Sequence, residues 1–148
     1  MIHETLTLKG RLTVELTGPD GLVKATQKIP NLVVTAGKNF VASRMAGTSS
    51  SVMSHMSIGT DPTAASAANT TLGGEVARVA LTSTTASGND VVYVATFPAG
   101  TPASAAAIVE AGIFNASTAG AMLCLTKFSV INKGTQDSLT ITWTVTAS

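Results

Sequence analysis

The chain has 148 residues, of which only 11% are charged, and nine basic against eight acidic side chains give a formal net charge of +1. Nucleic-acid binding needs clustered Lys and Arg that displace counterions, so this balance argues against a nucleic-acid partner. No apolar run approaches the roughly 20 residues of a membrane-spanning helix, and no membrane partner is expected. The first residues lack a basic region followed by an apolar stretch, so no secretory signal is expected. The single Cys124 excludes an internal disulfide and fits synthesis in a reducing cytosol.

Strict alternation of apolar and polar residues predicts a first strand from Leu6 to about Leu16, with threonines filling its outer face. The run Gly18-Pro19-Asp20-Gly21 then has the residue types of a tight turn. Residues 22–29 are expected to return as a shorter strand. Residues 1–30 therefore form a predicted N-terminal strand and hairpin, which is also a candidate interface.

Residues 36–46 break the alternation and predict one short helix, with Thr35 as its N-cap and Gly47 just past its end. A helix of about three turns is marginal alone, so its apolar stripe is expected to pack on the sheet. That stripe consists of Phe40, Val41 and Met45. Three long loops are also expected, at residues 46–52, 60–71 and 98–107.

The remaining apolar segments predict hairpins, and the last strand is the clearest of them because four apolar residues, including Trp143, alternate with threonines. The predicted pairs are residues 75–84 with 91–97, residues 108–114 with 121–128, and residues 123–130 with the last strand. Short antiparallel strands at this spacing predict an all-β fold, an antiparallel β-sandwich or jelly roll, in a single domain of residues 1–148.

Residues that could carry chemistry are few, and we expect no enzyme. The histidines are His3 and His55, and Cys124 can point either way from its strand, burial being the favoured alternative. The acids are scattered singly, so no metal site, cofactor or small-molecule substrate is expected. Glu75 and Glu110 lie in apolar strands.

Those two glutamates are expected to pair inside the fold with Arg78, Arg44 or a backbone amide. Met45, Met53 and Met56 are assigned to the core, with an adaptable contact surface as the second alternative.

Several blocks of the chain together resemble small structural proteins of tailed bacteriophages. They are NLVVTAGKNFVASRMAG at 31–47, MSIGTD at 56–61, TLGGEVARVAL at 71–81, VEAGIFN at 109–115, NKG at 132–134 and LTITW at 139–143. The resemblance is greatest to jelly-roll capsid cement (decoration) proteins, such as that of a short-tailed Bordetella phage.

That resemblance implies a structural protein made in the bacterial host cytoplasm and located on the capsid exterior of the virion. Such a protein binds neighbouring major capsid protein subunits and cements them, as a homodimer or homotrimer on local symmetry axes. The alternative is a tail, baseplate or fibre-attachment protein of the same virion. A carbohydrate-binding or hydrolytic module on the same sandwich is a third possibility, and it would need a surface cluster of aromatic side chains and carboxylates.

Contacts with partners are predicted in the N-terminal segment 1–8 and in the loops around residues 48–54 and 60–69, because these are polar, irregular and weakly charged. The predicted interface residues are Met1, Ile2, Leu6, Leu8, Met53, His55, Asp61 and Pro62.

Overall fold

The computed structural model describes residues 3–48 and 50–148, which form ten β-strands and one α-helix. In chain order these are β1 (Leu8–Thr17), β2 (Val23–Pro30), β3 (Leu32–Val33), α1 (Thr35–Met45), β4 (His55–Gly59), β5 (Glu75–Ala80), β6 (Ser83–Ser87), β7 (Asp90–Phe97), β8 (Ala106–Phe114), β9 (Met122–Lys133) and β10 (Ser138–Ala147).

Two five-stranded sheets form the sandwich. Sheet 1 has the order β2-β1-β10-β7-β6, and sheet 2 has the order β3-β9-β8-β4-β5. Neighbouring strands are antiparallel in both sheets. Apolar side chains from both sheets meet in one cluster between them. The predicted antiparallel β-sandwich with one short helix is confirmed.

The centre of sheet 1 is the pair β1–β10, and its register follows the alternation in the sequence. Leu12 lies opposite Trp143, and Val14 lies opposite Ile141. All four side chains are at most 2% exposed, so the apolar faces of both strands form the core while their threonines face outward. The strand begins at Leu8, two residues later than Leu6.

The predicted turn between β1 and β2 is confirmed. Gly21 has φ +80°, and its N–H donates to the carbonyl oxygen of Gly18 at 3.0 Å. This backbone region is one that glycine enters without a Cβ clash.

The predicted helix is confirmed as α1, but two details differ. The cap residue is Val34, with an extended backbone and no side-chain cap, so Thr35 lies inside the helix rather than before it. Met45 is 79% exposed and does not pack on the sheet, whereas Phe40 and Val41 do. Gly47, at φ +70°, follows the helix as predicted.

Gly37 explains how α1 lies so close to sheet 2. It is the buried residue of the helix, and a Cβ there would collide with the backbone of Leu123 in β9. Within the described residues, no helix has the length and apolar character needed to cross a membrane.

One predicted hairpin is correct only in part and another is wrong, because the chain changes sheets where the sequence suggests continuity. Of residues 75–84, Ser83 and Thr84 pair with β7 as predicted, whereas the preceding strand pairs with β4. Residues 75–84 form not one strand but two, β5 in sheet 2 and β6 in sheet 1. The chain passes from sheet 2 to sheet 1 between two adjacent residues. The N–H of Leu81 donates to the carbonyl oxygen of Ser54, beside β4, and the N–H of Thr82 donates to that of Val94 in β7.

The second error concerns β9 and β10, which belong to different sheets and do not pair. The connection between them, residues 134–137, forms a corner of the sandwich. The hairpin of β8 with β9 is confirmed, with Phe114 opposite Met122 at its end.

Candidate interaction surfaces

The first candidate surface is an apolar groove between the N-terminal arm, residues 3–7, and α1; we call it the arm–helix groove. Its volume is about 210 Å³, and its lining is Leu6, Leu8, Lys38, Val41, Ala42 and Met45. Leu6 is 68% exposed and Met45 is 79% exposed, so both present apolar area to solvent. Large exposed apolar side chains that lie together are typical of a contact surface.

The arm is fixed in place by a pair of backbone hydrogen bonds to the C-terminal residue. The N–H of Thr7 donates to the carbonyl oxygen of Ser148 at 2.6 Å, and the N–H of Ser148 donates to that of Thr7 at 2.8 Å. The groove is therefore already shaped before any partner binds, which lowers the entropy cost of binding.

The second candidate surface is the stretch 60–74, which we call the anchored loop because one side chain holds both of its ends. Glu110, on β8, is 0% exposed. Its Oε2 accepts from the N–H of Asp61 at 3.0 Å and from that of Gly74 at 2.8 Å. Its Oε1 accepts from the N–H of Gly73 at 3.1 Å. The carboxylate thus accepts the hydrogen bonds of three backbone N–H groups, as the carbonyl oxygens of a neighbouring strand would do in a sheet.

Lys127 balances the charge of this buried carboxylate. It lies opposite Glu110 on β9, and its Nζ donates to Glu110 Oε1 at 2.8 Å and to the carbonyl oxygen of Asp61 at 2.8 Å. A buried carboxylate without such a partner is strongly destabilising, so the pair and the loop depend on each other.

At the first end of the anchored loop, Asp61 also organises the turn that follows it. Its Oδ1 accepts from the N–H of Thr63 at 3.0 Å and from the Thr63 hydroxyl at 2.7 Å. These bonds from Thr63, helped by the charge of Lys127, hold the pKa of Asp61 below its usual value. Pro62 lies between them and is exposed. This end of the loop is therefore a turn held by side-chain hydrogen bonds, with a half-buried carboxylate whose Oδ2 lies 3.8 Å from Lys127 Nζ.

The third candidate surface is the outer side of sheet 1, which we call the hydroxyl face. Its central threonines are Thr13, Thr96, Thr140, Thr142 and Thr144. A shallow groove of about 460 Å³ crosses it, lined partly by Thr13, Thr142 and Thr144. The Thr96 and Thr140 hydroxyls are 3.0 Å apart, within hydrogen-bonding distance. This face offers many hydrogen-bonding groups, and its groove is also lined by the basic residues Arg11 and Lys28.

The structure brings the predicted interface residues together only in part. Leu6 and Leu8 line the arm–helix groove, whereas Asp61 and Pro62 belong to the anchored loop. Their role in binding a partner stays a prediction.

Met53 is 4% exposed and lies in the core, so its assignment to a surface contact is wrong and its assignment to the core is confirmed. His55 is half-buried, with its Nδ1 2.8 Å from the Ser54 hydroxyl. Met1 and Ile2 lie outside the described residues.

Sequence reasoning missed Lys127 as the partner of Glu110, although it allowed a backbone amide. The reason is register. Continued evenly from Phe114 opposite Met122, the β8–β9 hairpin would place Glu110 opposite Thr126. A shift between Ile113 and Phe114 moves Lys127 into that position instead.

The predicted pairing of Glu75 with Arg78 is found, but at the surface rather than inside the fold, since the Glu75 side chain is 34% exposed. Arg78 donates from Nη2 to Glu75 at 2.7 Å, lies over the ring of Phe114 at 3.8 Å, and donates to two carbonyl oxygens of the β8–β9 connection. Cys124 is buried as predicted, and burial raises the pKa of its thiol. In the described ranges no three potential metal-binding side chains cluster together.

Comparison with known proteins gives one family match. Residues 38–145 match the family model described as podophage GP4 fiber I protein gp80. The matched stretch extends from α1 into β10, and so contains the anchored loop but not the N-terminal arm. Searches of curated proteins and of solved structures gave no match.

Proposed function

Because the chain belongs to the family of podophage GP4 fiber I protein gp80 and is therefore a structural protein of a phage virion, we propose that it works in the fibre or tail assembly of that virion. The observation that carries this proposal is the family match over residues 38–145. At the level of a phage structural protein, the resemblance noted in the sequence is confirmed.

In this role the domain acts as a non-catalytic adaptor. The arm–helix groove offers a preformed apolar contact, and the anchored loop offers a turn held by side-chain hydrogen bonds, whose shape does not depend on a partner. Preformed surfaces suit an adaptor, because little conformational entropy is lost on assembly. Many copies in one particle multiply modest contacts into a stable attachment.

A capsid cement protein is the second candidate, and the hydroxyl face is the observation that favours it. This five-stranded face is broad and rich in threonine, so it can lie against a protein shell and exchange many hydrogen bonds with the major capsid protein. The predicted position on the capsid exterior belongs to this candidate, whereas the family name refers to a fibre.

The copy number of this chain in purified virions separates the two candidates. We expect quantitative mass spectrometry to give a mass ratio to the major capsid protein of a few per cent, comparable to that of a known tail protein measured in the same sample as the control. A copy number near one chain per capsid subunit would contradict the fibre or tail proposal and favour the cement protein.

A further inference from the structure

The exposed edges of the two sheets differ in how they are protected against pairing with another strand. An unprotected edge offers a row of free backbone groups, and proteins usually cover or charge it. In sheet 2, β3 has two residues, and β5 carries the ion pair of Glu75 with Arg78. In sheet 1, β2 carries Lys24 and Lys28 and ends at Pro30.

The remaining edge, β6, has none of these devices. Its sequence Ser-Thr-Thr-Ala-Ser contains no charge and no proline, and all five residues are exposed. Gly88, at φ +59°, and Asn89 form the two-residue loop that joins β6 to β7. In such a hairpin Ser83, Thr85 and Ser87 direct their backbone groups toward β7, which leaves those of Thr84 and Ala86 facing outward.

The sequence of β6 is nearly symmetric about its middle residue. Consider an antiparallel pair of two such strands centred on Thr85. Ser83 then faces Ser87 of the other copy, Thr84 faces the other copy's Ala86, and the two Thr85 residues face each other. The outward backbone groups of Thr84 and Ala86 then bond to each other across the pair. Hydroxyl side chains directly opposite one another stabilise strand pairs, and no like charges meet.

We propose that β6 binds β6 of a second copy of this chain, antiparallel and two-fold symmetric about Thr85, so that the two copies of sheet 1 become one continuous sheet. The opposite edge of the same sheet is unsuited to this pairing. A two-fold pair of β2 strands centred on Thr26 would set Lys24 of one copy against Lys28 of the other, and like charges directly opposite repel.

The pairing surface is small, because it involves one five-residue strand from each copy. It is well below the area of standard stable interfaces, so the pair dissociates readily in dilute solution. In a virion many copies are held close together, and the same contact is then occupied by virtue of its high effective concentration. This proposal holds for either location in the virion and does not depend on the fibre assignment.

A disulfide placed at the two-fold centre tests the proposal in the full chain. We expect the Thr85→Cys variant to form a covalent dimer when oxidised glutathione is added, because two thiols facing each other give up two protons and two electrons to that oxidant. The matched control is Thr26→Cys, at the centre of the other edge, which should remain largely monomeric on a non-reducing gel. Equal cross-linking of the two variants, or none at position 85, overturns the proposal. Cys124 is buried and does not compete.

Charged substitutions in β6 test the register of the strand pair. Comparing two combinations at the same two positions also controls for a loss of folding. Added to Thr85→Cys, the pair Ser83→Lys and Ser87→Lys sets like charges opposite each other and should slow cross-linking several-fold. Ser83→Lys with Ser87→Asp sets opposite charges together and should restore it. Equal rates for the two combinations overturn the proposed register.

Discussion

Glu110 and Asp137 perform similar tasks in two irregular segments, but the structure depends on them to different degrees. Each carboxylate pairs with a lysine and accepts hydrogen bonds from backbone N–H groups, three for Glu110 and one for Asp137. Glu110 is fully buried, and the side chain of its partner Lys127 is 19% exposed. The side chain of Asp137 is 5% exposed, but its partner Lys24 is 51% exposed.

The corner that Asp137 closes also has support of its own. Asp137 accepts from the N–H of Gly134 at 2.8 Å, and its own N–H donates to the carbonyl oxygen of Gly134 at 3.2 Å. Lys133, 1% exposed, donates to the carbonyl oxygens of Asp137 and Pro98 at 2.7 and 3.1 Å. The anchored loop relies on one carboxylate at both of its ends. We therefore expect Glu110 to contribute more to the stability of the fold than Asp137 does.

The largest effect is therefore expected from Glu110→Ala. The substitution leaves three backbone N–H groups without their acceptor and removes one of the two hydrogen-bond acceptors of Lys127. Loss of one partner of a buried ion pair costs about 3–5 kcal/mol. Urea unfolding followed by the fluorescence of Trp143, which is buried in the core, measures the loss. Glu110→Gln keeps an acceptor but not the charge and should lie between Glu110→Ala and the wild type.

Glu75→Ala is the matched control, since it removes a glutamate that also pairs with a basic side chain. Glu75 is 34% exposed, so we expect a loss of about 1 kcal/mol or less. Equal losses of unfolding free energy in the two alanine variants would contradict this expectation, because burial and backbone bonding would then not distinguish the two glutamates.

Acidification tests the contribution of the aspartates. Bonds from the Gly134 backbone and then from Lys24 hold the pKa of Asp137 below its ordinary value of 3.8, and bonds from Thr63 act likewise on Asp61. A carboxyl whose pKa is lowered in the folded state contributes stability that is complete above the ordinary value and is lost as the pH falls through the lowered one.

We therefore expect the free energy of unfolding to decrease below about pH 4. Asp137→Asn should be less stable than the wild type at neutral pH, and its stability should decrease less steeply with acid, so that the two curves converge. Urea titrations at a series of pH values give both curves. Parallel curves would mean that Asp137 has the same pKa in the folded and unfolded states.

Local patterns were sufficient to predict much of this fold. The alternation in β1 and β10 identified their core faces, and the turn residues at positions 18–21 fixed the first hairpin, because both signals depend on neighbours in the sequence. Which sheet a strand joins is not local: adjacent Leu81 and Thr82 bond to different sheets, and no periodicity marks that change.

The candidate surfaces were predictable only to the same extent. Glu110 attracted attention as an acid in an apolar strand, but its partner Lys127 depends on a register shift within β8–β9. The exposure of Met45 depends on how α1 turns on the sheet, and the edge position of β6 depends on the order of all five strands in sheet 1. Each of these follows from tertiary packing.

The smallest effect is expected from Lys24→Met, which removes the exposed partner of Asp137. The carboxylate keeps its bond from Gly134 and the nearby charge of Lys133, and a half-exposed lysine is screened by water and salt. Thermal unfolding should show a slight decrease in Tm at low salt that disappears at high salt. Lys28→Met, on the same strand, is the control for loss of a positive charge and should leave Tm unchanged. If Lys24→Met were as damaging as Glu110→Ala, the exposed lysine would be as important to its corner as the buried carboxylate is to the anchored loop, and the distinction between the two sites would fail.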